Sequence, residues 1–298
     1  METATAIRNT RETASKSRTL WNKAVVAAVL LVCSFSVFLL GPNYYPLFPT
    51  NGNIVYAASL SAVFLLAALL FKRSTRFVKY WAIAYAFFVA SVVNLISVLF
   101  GDYYTDFVRL FGTTDPNKTQ GLAKVYDTLL VVIPILGLTL VSGANLGSLF
   151  LKRGNLSYKW GLGIGSLVLV NYFTSVLIFF GTGYELPKLG SAILWGLVFS
   201  FSNSLLEELW IRGLFMKKMV PLIGVAGTVV ITSITFAAMH FLGVAYLPAA
   251  VVPIFVINTF TMGLACSILM LKTDSIWGAY LIHAAADLFL FIATLAVH

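Results

Sequence analysis

Charge is scarce in this chain of 298 residues: 10% are Asp, Glu, Lys or Arg, where an ordinary soluble domain has about 25%. Hydrophobic residues make up 59%, and mean hydropathy is +0.91. A soluble domain of that composition exposes large apolar patches, so the shortage of charge excludes a water-soluble globule and makes lipid the natural solvent. Cysteine is nearly absent. Cys33 and Cys266 each sit inside an apolar run, which excludes a disulfide framework and leaves two small hydrophobes. There is no CxxC spacing and no HExxH, so two common signatures of zinc sites are missing. No A-x-A-like cleavage site follows the first apolar run, which is therefore expected to remain as a membrane span.

What is present is a succession of apolar runs: 24–40, 54–71, 80–100, 126–150, 161–181, 191–215, 222–242, 246–271 and 275–297. Each is near the roughly 20 residues that cross the hydrocarbon as a helix. Only helices and closed barrels satisfy backbone polar groups in lipid, and these runs lack the alternation of barrel strands. The expected fold is all-α, a polytopic transmembrane bundle of about nine spans, with eight as the alternative count. Cations mark its sides. Arg8, Arg11, Lys16, Arg18 and Lys23, then Lys72, Arg73, Arg76 and Lys79, then Lys152, Arg153 and Lys159, then Lys217 and Lys218, then Lys272 fall on one face; Arg109, Lys118, Lys124 and Lys188 fall on the other. That bias places the N-terminus inside, in an integral, multi-pass protein of the cell membrane. It also accounts for the net charge of +9 without a nucleic-acid partner. Residues 1–23 read as a mobile basic cytoplasmic tail, 24–185 as membrane helices of unassigned role, and 190–298 as a separate functional domain. The connection 101–125 reads as a small cap without chemistry, and the sequon at Asn117 as a chance match. Gly161, Gly163 and Gly165 read as helix packing; Pro248 and Pro253 read as kinks in the 246–271 run.

Ionisable groups are costly in a bilayer, roughly 2.5–3.5 kcal/mol each on insertion scales, yet here they concentrate. The 191–215 run contains Glu207, Glu208 and Arg212; the 222–242 run ends Phe236-Ala-Ala-Met-His240; the last run contains Trp277, His283 and Asp287. Glu208 and Arg212 are one turn apart, so an ion pair can neutralise that carboxylate. Glu207 lies about 100° around the helix, free to face elsewhere. His283 and Asp287 repeat the one-turn spacing, so the acid can orient the ring or share its proton. An unpaired carboxylate beside histidines is an arrangement for activating water.

The motifs EExxxR at 207–212, FxxxH at 236–240 and HxxxD at 283–287, with Phe260-x-x-Gly263 and Trp277, resemble those of the CAAX protease and bacteriocin-processing family, also called the Abi or type II CAAX endopeptidase family. The resemblance covers about 190–290. It implies a glutamate-type intramembrane endopeptidase that acts on a peptide or protein in or near the bilayer. Glu207 would be the general base and His240 would help hold the water. Glu208 with Arg212 would be a structural pair, and His283 with its partner at 287 would stabilise the oxyanion. The family more often has Asn at that last position, so orienting or neutralising His283 suits Asp287 better. The implied site needs no cofactor; Zn²⁺ held by two Glu and two His is the alternative. Two other readings stand beside the peptidase: a non-catalytic membrane immunity or regulatory protein of the same family, and a proton-coupled transporter using Glu207, Glu208 and His283 as a relay. One count is discordant. Glu207 and His283 lie about 15 Å from the charged ends of their helices, whereas His240 lies about 27 Å along a helix begun at Leu222. The three meet only with tilt, or with the 213–222 turn inside the membrane.

Overall fold

The structure is a computed structural model that describes residues 2–41, 50–155, 158–180, 186–243 and 252–295. These residues are helical, with no strand among them: α1 (Glu2–Phe38), α2 (Thr50–Arg73), α3 (Trp81–Phe100), α4 (Tyr104–Arg109), α5 (Pro116–Val141), α6 (Tyr158–Phe180), α7 (Leu186–Glu207), α8 (Met216–Gly243), α9 (Val252–Thr273) and α10 (Trp277–Leu290). π-Helical turns follow α7, at Glu208–Gly213, and α10, at Phe291–Leu295. Each of the nine apolar runs contains a helix among its described residues, although 126–150 outlasts α5, which ends at Val141. Among these residues, six stretches are long and apolar enough to cross a membrane: Leu20–Phe38, Asn51–Arg73, Val78–Arg109, Pro116–Val141, Met216–Phe241 and Val252–Thr273.

Three boundaries differ from expectation, each for a local reason. The segment read as a mobile tail is helical from Glu2; it has no Pro or Gly to interrupt a helix. α5 begins ten residues early, at Pro116. Asp115 caps it, accepting from the N–H of Asn117 at 2.9 Å and of Lys118 at 3.4 Å, with Pro116 preset for the first turn. Asn117 is thereby buried, so the sequon is not presented. α5 ends near Gly143, whose φ of 83° stops a helix at no steric cost. Third, α8 starts at Met216, and Gly224 within it takes φ 81°, ψ 173°, so residues 216–223 and 225–243 do not share one straight axis. Of the glycine series, only Gly165 packs closely, against Ile282. Gly163 is two residues, about 200°, from either neighbour and cannot share their face. Pro253 is the second described residue of α9. Pro248 lies outside the described residues.

The N-terminal helices buttress the C-terminal ones. Phe38 of α1 packs edge-on against Trp210 (5.1 Å) and Phe215 (5.6 Å), Phe215 meets Phe87 of α3 (4.8 Å), and Phe87 stacks on Phe64 of α2 (5.1 Å). In lipid there is little hydrophobic gain in bringing helices together, so this dense aromatic contact supplies the attraction. Its centre lies on the π-helical turn after α7.

At one end of the bundle the 145–155 connection is strapped to the α9–α10 turn. Asn155 N–H donates to Thr273 O (2.6 Å), Ile276 N–H to Phe150 O (3.0 Å), and Ser275 Oγ to Lys152 O (2.8 Å). Asp274 joins the pieces, ion-paired to Lys152 and, at 2.6 Å, to Lys217, which also donates to Gly147 O at 2.6 Å. Partial burial pushes the Asp274 carboxyl up, but hydrogen bonds from Lys152 and Lys217 outweigh it and hold the group below the ordinary carboxylate value. A depressed folded-state value gives stability that is present above the unfolded value, near pH 3.9, and lost as pH falls through the folded one. Asp274→Asn is therefore expected to lower the thermal midpoint of detergent-solubilised protein at neutral pH, with the gap to wild type closing below about pH 4. A gap independent of pH, in paired melting curves, would refute the assignment. Because the carboxylate is 40% exposed, the effect is small.

Candidate active site

Glu207 ends α7, and the chain then enters the π-helical turn, where Leu214 N–H donates to Leu209 O five residues back (2.9 Å). A π turn inserts an extra residue into the helical path, a feature concentrated at functional sites. Every residue of this one is buried.

Glu208 Oε1 binds two partners: Arg212 Nη1 and, at 2.8 Å, His283 Nδ1. The side chains of all three are fully buried. Arg212 is further held by Ser267 Oγ at 3.3 Å, itself in contact with Thr232 Oγ1 at 3.1 Å, and by the face of Phe236, 4.3 Å from its guanidinium carbon. The sequence reading took Glu208 and Arg212 as a pair alone; the carboxylate also fixes the ring of His283. With Nδ1 engaged, Nε2 of His283 is turned to the other two acids, 3.5 Å from Glu207 Oε2 and 3.5 Å from Asp287 Oδ1.

His240 reaches the same place from α8. Its Nδ1 lies 2.9 Å from Phe236 O, the carbonyl one turn back, and its Nε2 lies 3.8 Å from Glu207 Oε2. Nδ1–H donation to that carbonyl leaves the Nε2 lone pair facing Glu207. The ring of Phe236 touches both imidazoles, with centroids 4.4 Å from His240 and 5.5 Å from His283. The three side chains meet despite the discordant depth counted for His240. Residues 214–216 and Met219 are also packed inside the bundle. α9 closes the site from behind. A side chain at Gly263 would meet the Ser233 backbone at 3.0 Å, so Gly is what lets α9 approach α8. Trp277 is partly exposed and packs on Tyr280, 5.8 Å away.

Asp287 has partners beyond His283. It makes only a charge contact with His283, while its Oδ2 accepts from Asn203 Nδ2 at 2.9 Å and Ser204 Oγ at 3.3 Å. Asn203, Ser204, Ser267 and Thr232 were not singled out from the sequence. Asn203 carried a signal: it stands one turn before Glu207 on the same helix face, an amide within an apolar run.

The structure thus brings Glu207, Glu208, Arg212, His240, His283 and Asp287 into one group, of which Glu207 and His240 are partly exposed and the rest buried. Glu207 Oε2, Glu208 Oε2 and His283 Nε2 have no hydrogen-bond partner there. The two-Glu, two-His zinc set does not converge, because Glu208 binds the opposite ring nitrogen of His283 from the one facing Glu207. Among the described residues, no group of three or more His, Cys, Asp or Glu is placed to hold a metal ion.

Residues 189–289 match the family model of type II CAAX prenyl endopeptidases, Rce1-like. This stretch is Rce1-like. It takes in most of α7, the π-helical turn, α8, α9 and α10 up to Phe289, and so contains all six residues; α1–α6 lie outside it. No curated protein and no solved structure matches the chain. The family that this region matches is one of prenyl endopeptidases, and the match together with the long apolar helices marks an integral membrane protein.

Proposed function

We propose that the Rce1-like region hydrolyses a peptide bond of a membrane-associated peptide or protein, with Glu207 activating the water and no metal. The observation that carries this is Glu207 Oε2, in a side chain only 14% exposed, without a hydrogen-bond partner and 3.5–3.8 Å from the Nε2 atoms of His283 and His240. Those separations are too long for good hydrogen bonds but suit a water oxygen bonded to all three groups. Glu207 takes a proton from that water, and the hydroxide adds to the scissile carbonyl carbon. Collapse of the tetrahedral intermediate breaks the C–N bond as Glu207 returns the proton to the departing nitrogen, giving a carboxylate and an amine. His240, accepting through Nε2, holds the water. A protonated His283 brings three buried carboxylates and one guanidinium close to neutrality and offers its Nε2–H to the developing oxyanion. Asp287, lacking an amide donor, keeps charge balance at that nitrogen while Asn203 and Ser204 hold it in place.

The test uses the full chain reconstituted in vesicles, with membrane-proximal peptides ending in a CAAX motif, prenylated and not, and new termini identified by mass spectrometry. Cleavage is expected to be insensitive to chelators and to fall about 10²-fold in His240→Ala. Activity abolished by a chelator and restored by zinc would overturn the metal-free mechanism. No cleavage of any peptide, with cellular function unaffected by loss of Glu207 and His283, would favour the non-catalytic partner instead.

A further inference from the structure

The turn between α2 and α3 carries four cations, Lys72, Arg73, Arg76 and Lys79, and the chain has no Asp or Glu between Glu12 and Asp102. All four are exposed, and among the described residues none is ion-paired to an acid. The turn lies at the Asp274 end of the bundle, since Tyr85 near the start of α3 bonds Leu138 O, just before the connection that reaches Lys217. At that end Lys152 and Lys217 share Asp274, whereas these four have no counter-charge from the chain. Like charges held this close repel one another, and an anion from outside relieves the repulsion.

The turn is preformed. Phe77 and Val78 N–H donate to Ser74 O at 3.2 and 2.9 Å, and Tyr80 N–H donates to Phe77 O at 2.9 Å. Rings hold three of the cations: Lys72 Nζ is 5.1 Å from the ring centre of Trp81, the Arg76 guanidinium carbon 5.4 Å from that of Phe77, and Lys79 Nζ 4.9 Å from that of Tyr80. A ring face attracts and orients a cation without neutralising it. Position then selects the anion. One apolar span ends at Arg73 and the next begins at Val78, so the cations stand where hydrocarbon gives way to lipid phosphates. Phe77 and Val78, 41% and 45% exposed among them, have acyl chain to enter there. A nucleic acid or an acidic protein segment would meet the charges but leave those two side chains in water.

We propose that this turn binds the headgroup of an anionic phospholipid, its phosphate among Lys72, Arg73, Arg76 and Lys79 and its acyl chains beside Phe77 and Val78. The site is separate from the proposed hydrolysis, rests only on the membrane placement of α2 and α3, and its test does not read activity. Full-length protein in a non-ionic detergent is titrated with phosphatidylglycerol or with phosphatidylcholine of the same acyl chains, and the thermal midpoint is followed, because a lipid that binds the folded chain raises it. Phosphatidylglycerol is expected to raise the midpoint saturably, with an apparent affinity about tenfold above that of phosphatidylcholine, and to lose most of that preference at high salt. Arg73→Gln/Arg76→Gln, at exposed positions, should leave the lipid-free midpoint unchanged and remove most of the preference, while Arg73→Lys/Arg76→Lys should retain it. Arg153→Gln/Lys159→Gln, an equal loss of exposed charge at the same end of the bundle, should retain it too. Equal effects of the two lipids, a preference that survives Arg73→Gln/Arg76→Gln, an equal loss in Arg153→Gln/Lys159→Gln, or the same rise with glycerol phosphate alone would each overturn the proposal.

Discussion

Glu207→Gln is expected to reduce peptide cleavage by about 10²–10⁴-fold while leaving the thermal midpoint of the protein equal to wild type or higher. The two halves come from the same observation. Gln keeps the shape of the side chain but cannot take a proton from water, so the loss falls on the chemical step rather than on substrate binding. A carboxylate whose Oε2 is buried with no hydrogen-bond partner is also expensive to hold, and a neutral isostere costs less to bury. A residue kept only for structure behaves oppositely: its replacement lowers stability, and activity falls as the folded fraction falls. Single-turnover rates and melting curves on one preparation separate the cases. A Glu207→Gln chain that cleaves within about threefold of wild type, or that loses activity only through unfolding, removes Glu207 from the reaction.

The parts of this site that were legible in the sequence are those whose burial has no cheap structural excuse. Glu207, Glu208, Arg212, His283 and Asp287 stood out because ionisable groups in apolar runs demand partners, and the one-turn spacing of Glu208 and Arg212 named one partner directly. What could not be read was which atoms meet across helices. That Glu208, not Asp287, takes Nδ1 of His283 depends on the register of α10 against the π-helical turn, and hydropathy does not encode register. Ser267 and Thr232 were invisible for another reason: hydroxyls in membrane helices usually bond the carbonyl one turn back, as Thr232 does with Thr228 O at 2.9 Å. Only the contact with Arg212 distinguishes Ser267. The fold departs from the hydropathy reading where capping overrides it. Asp115-Pro116 starts α5 inside a polar stretch, and Gly224 breaks a run that hydropathy reads as continuous. The early helices, unassigned in the sequence, acquire a purpose through Phe38, Phe64 and Phe87, which brace the turn carrying Glu208 and Arg212.

Arg212→Met is expected to be the most destabilising single change in the region, about 3–5 kcal/mol. Its side chain is fully buried, and it leaves behind Glu208, equally buried, with one positive partner fewer. It also vacates Ser267 Oγ and the face of Phe236. Much of that cost is the stranded carboxylate rather than the worth of the pair, since replacing both charges of a buried ion pair is often nearly neutral. The double variant Glu208→Gln/Arg212→Met should therefore recover a substantial part of the stability lost by Arg212→Met alone, a non-additivity typical of residues in contact. Arg212→Lys should fall between, because an ammonium keeps the charge but cannot present the planar fork that meets Glu208 and Ser267 at once. None of the three should be active. Glu208 fixes Nδ1 of His283, and disturbing its partner or its charge frees the ring that faces Glu207 and Asp287. Denaturant titrations of these proteins, with wild type and the single Glu208→Gln variant, in one detergent decide it. If the double variant is as unstable as the sum of its singles, the penalty lies in lost packing around Phe236 and not in an unpaired charge.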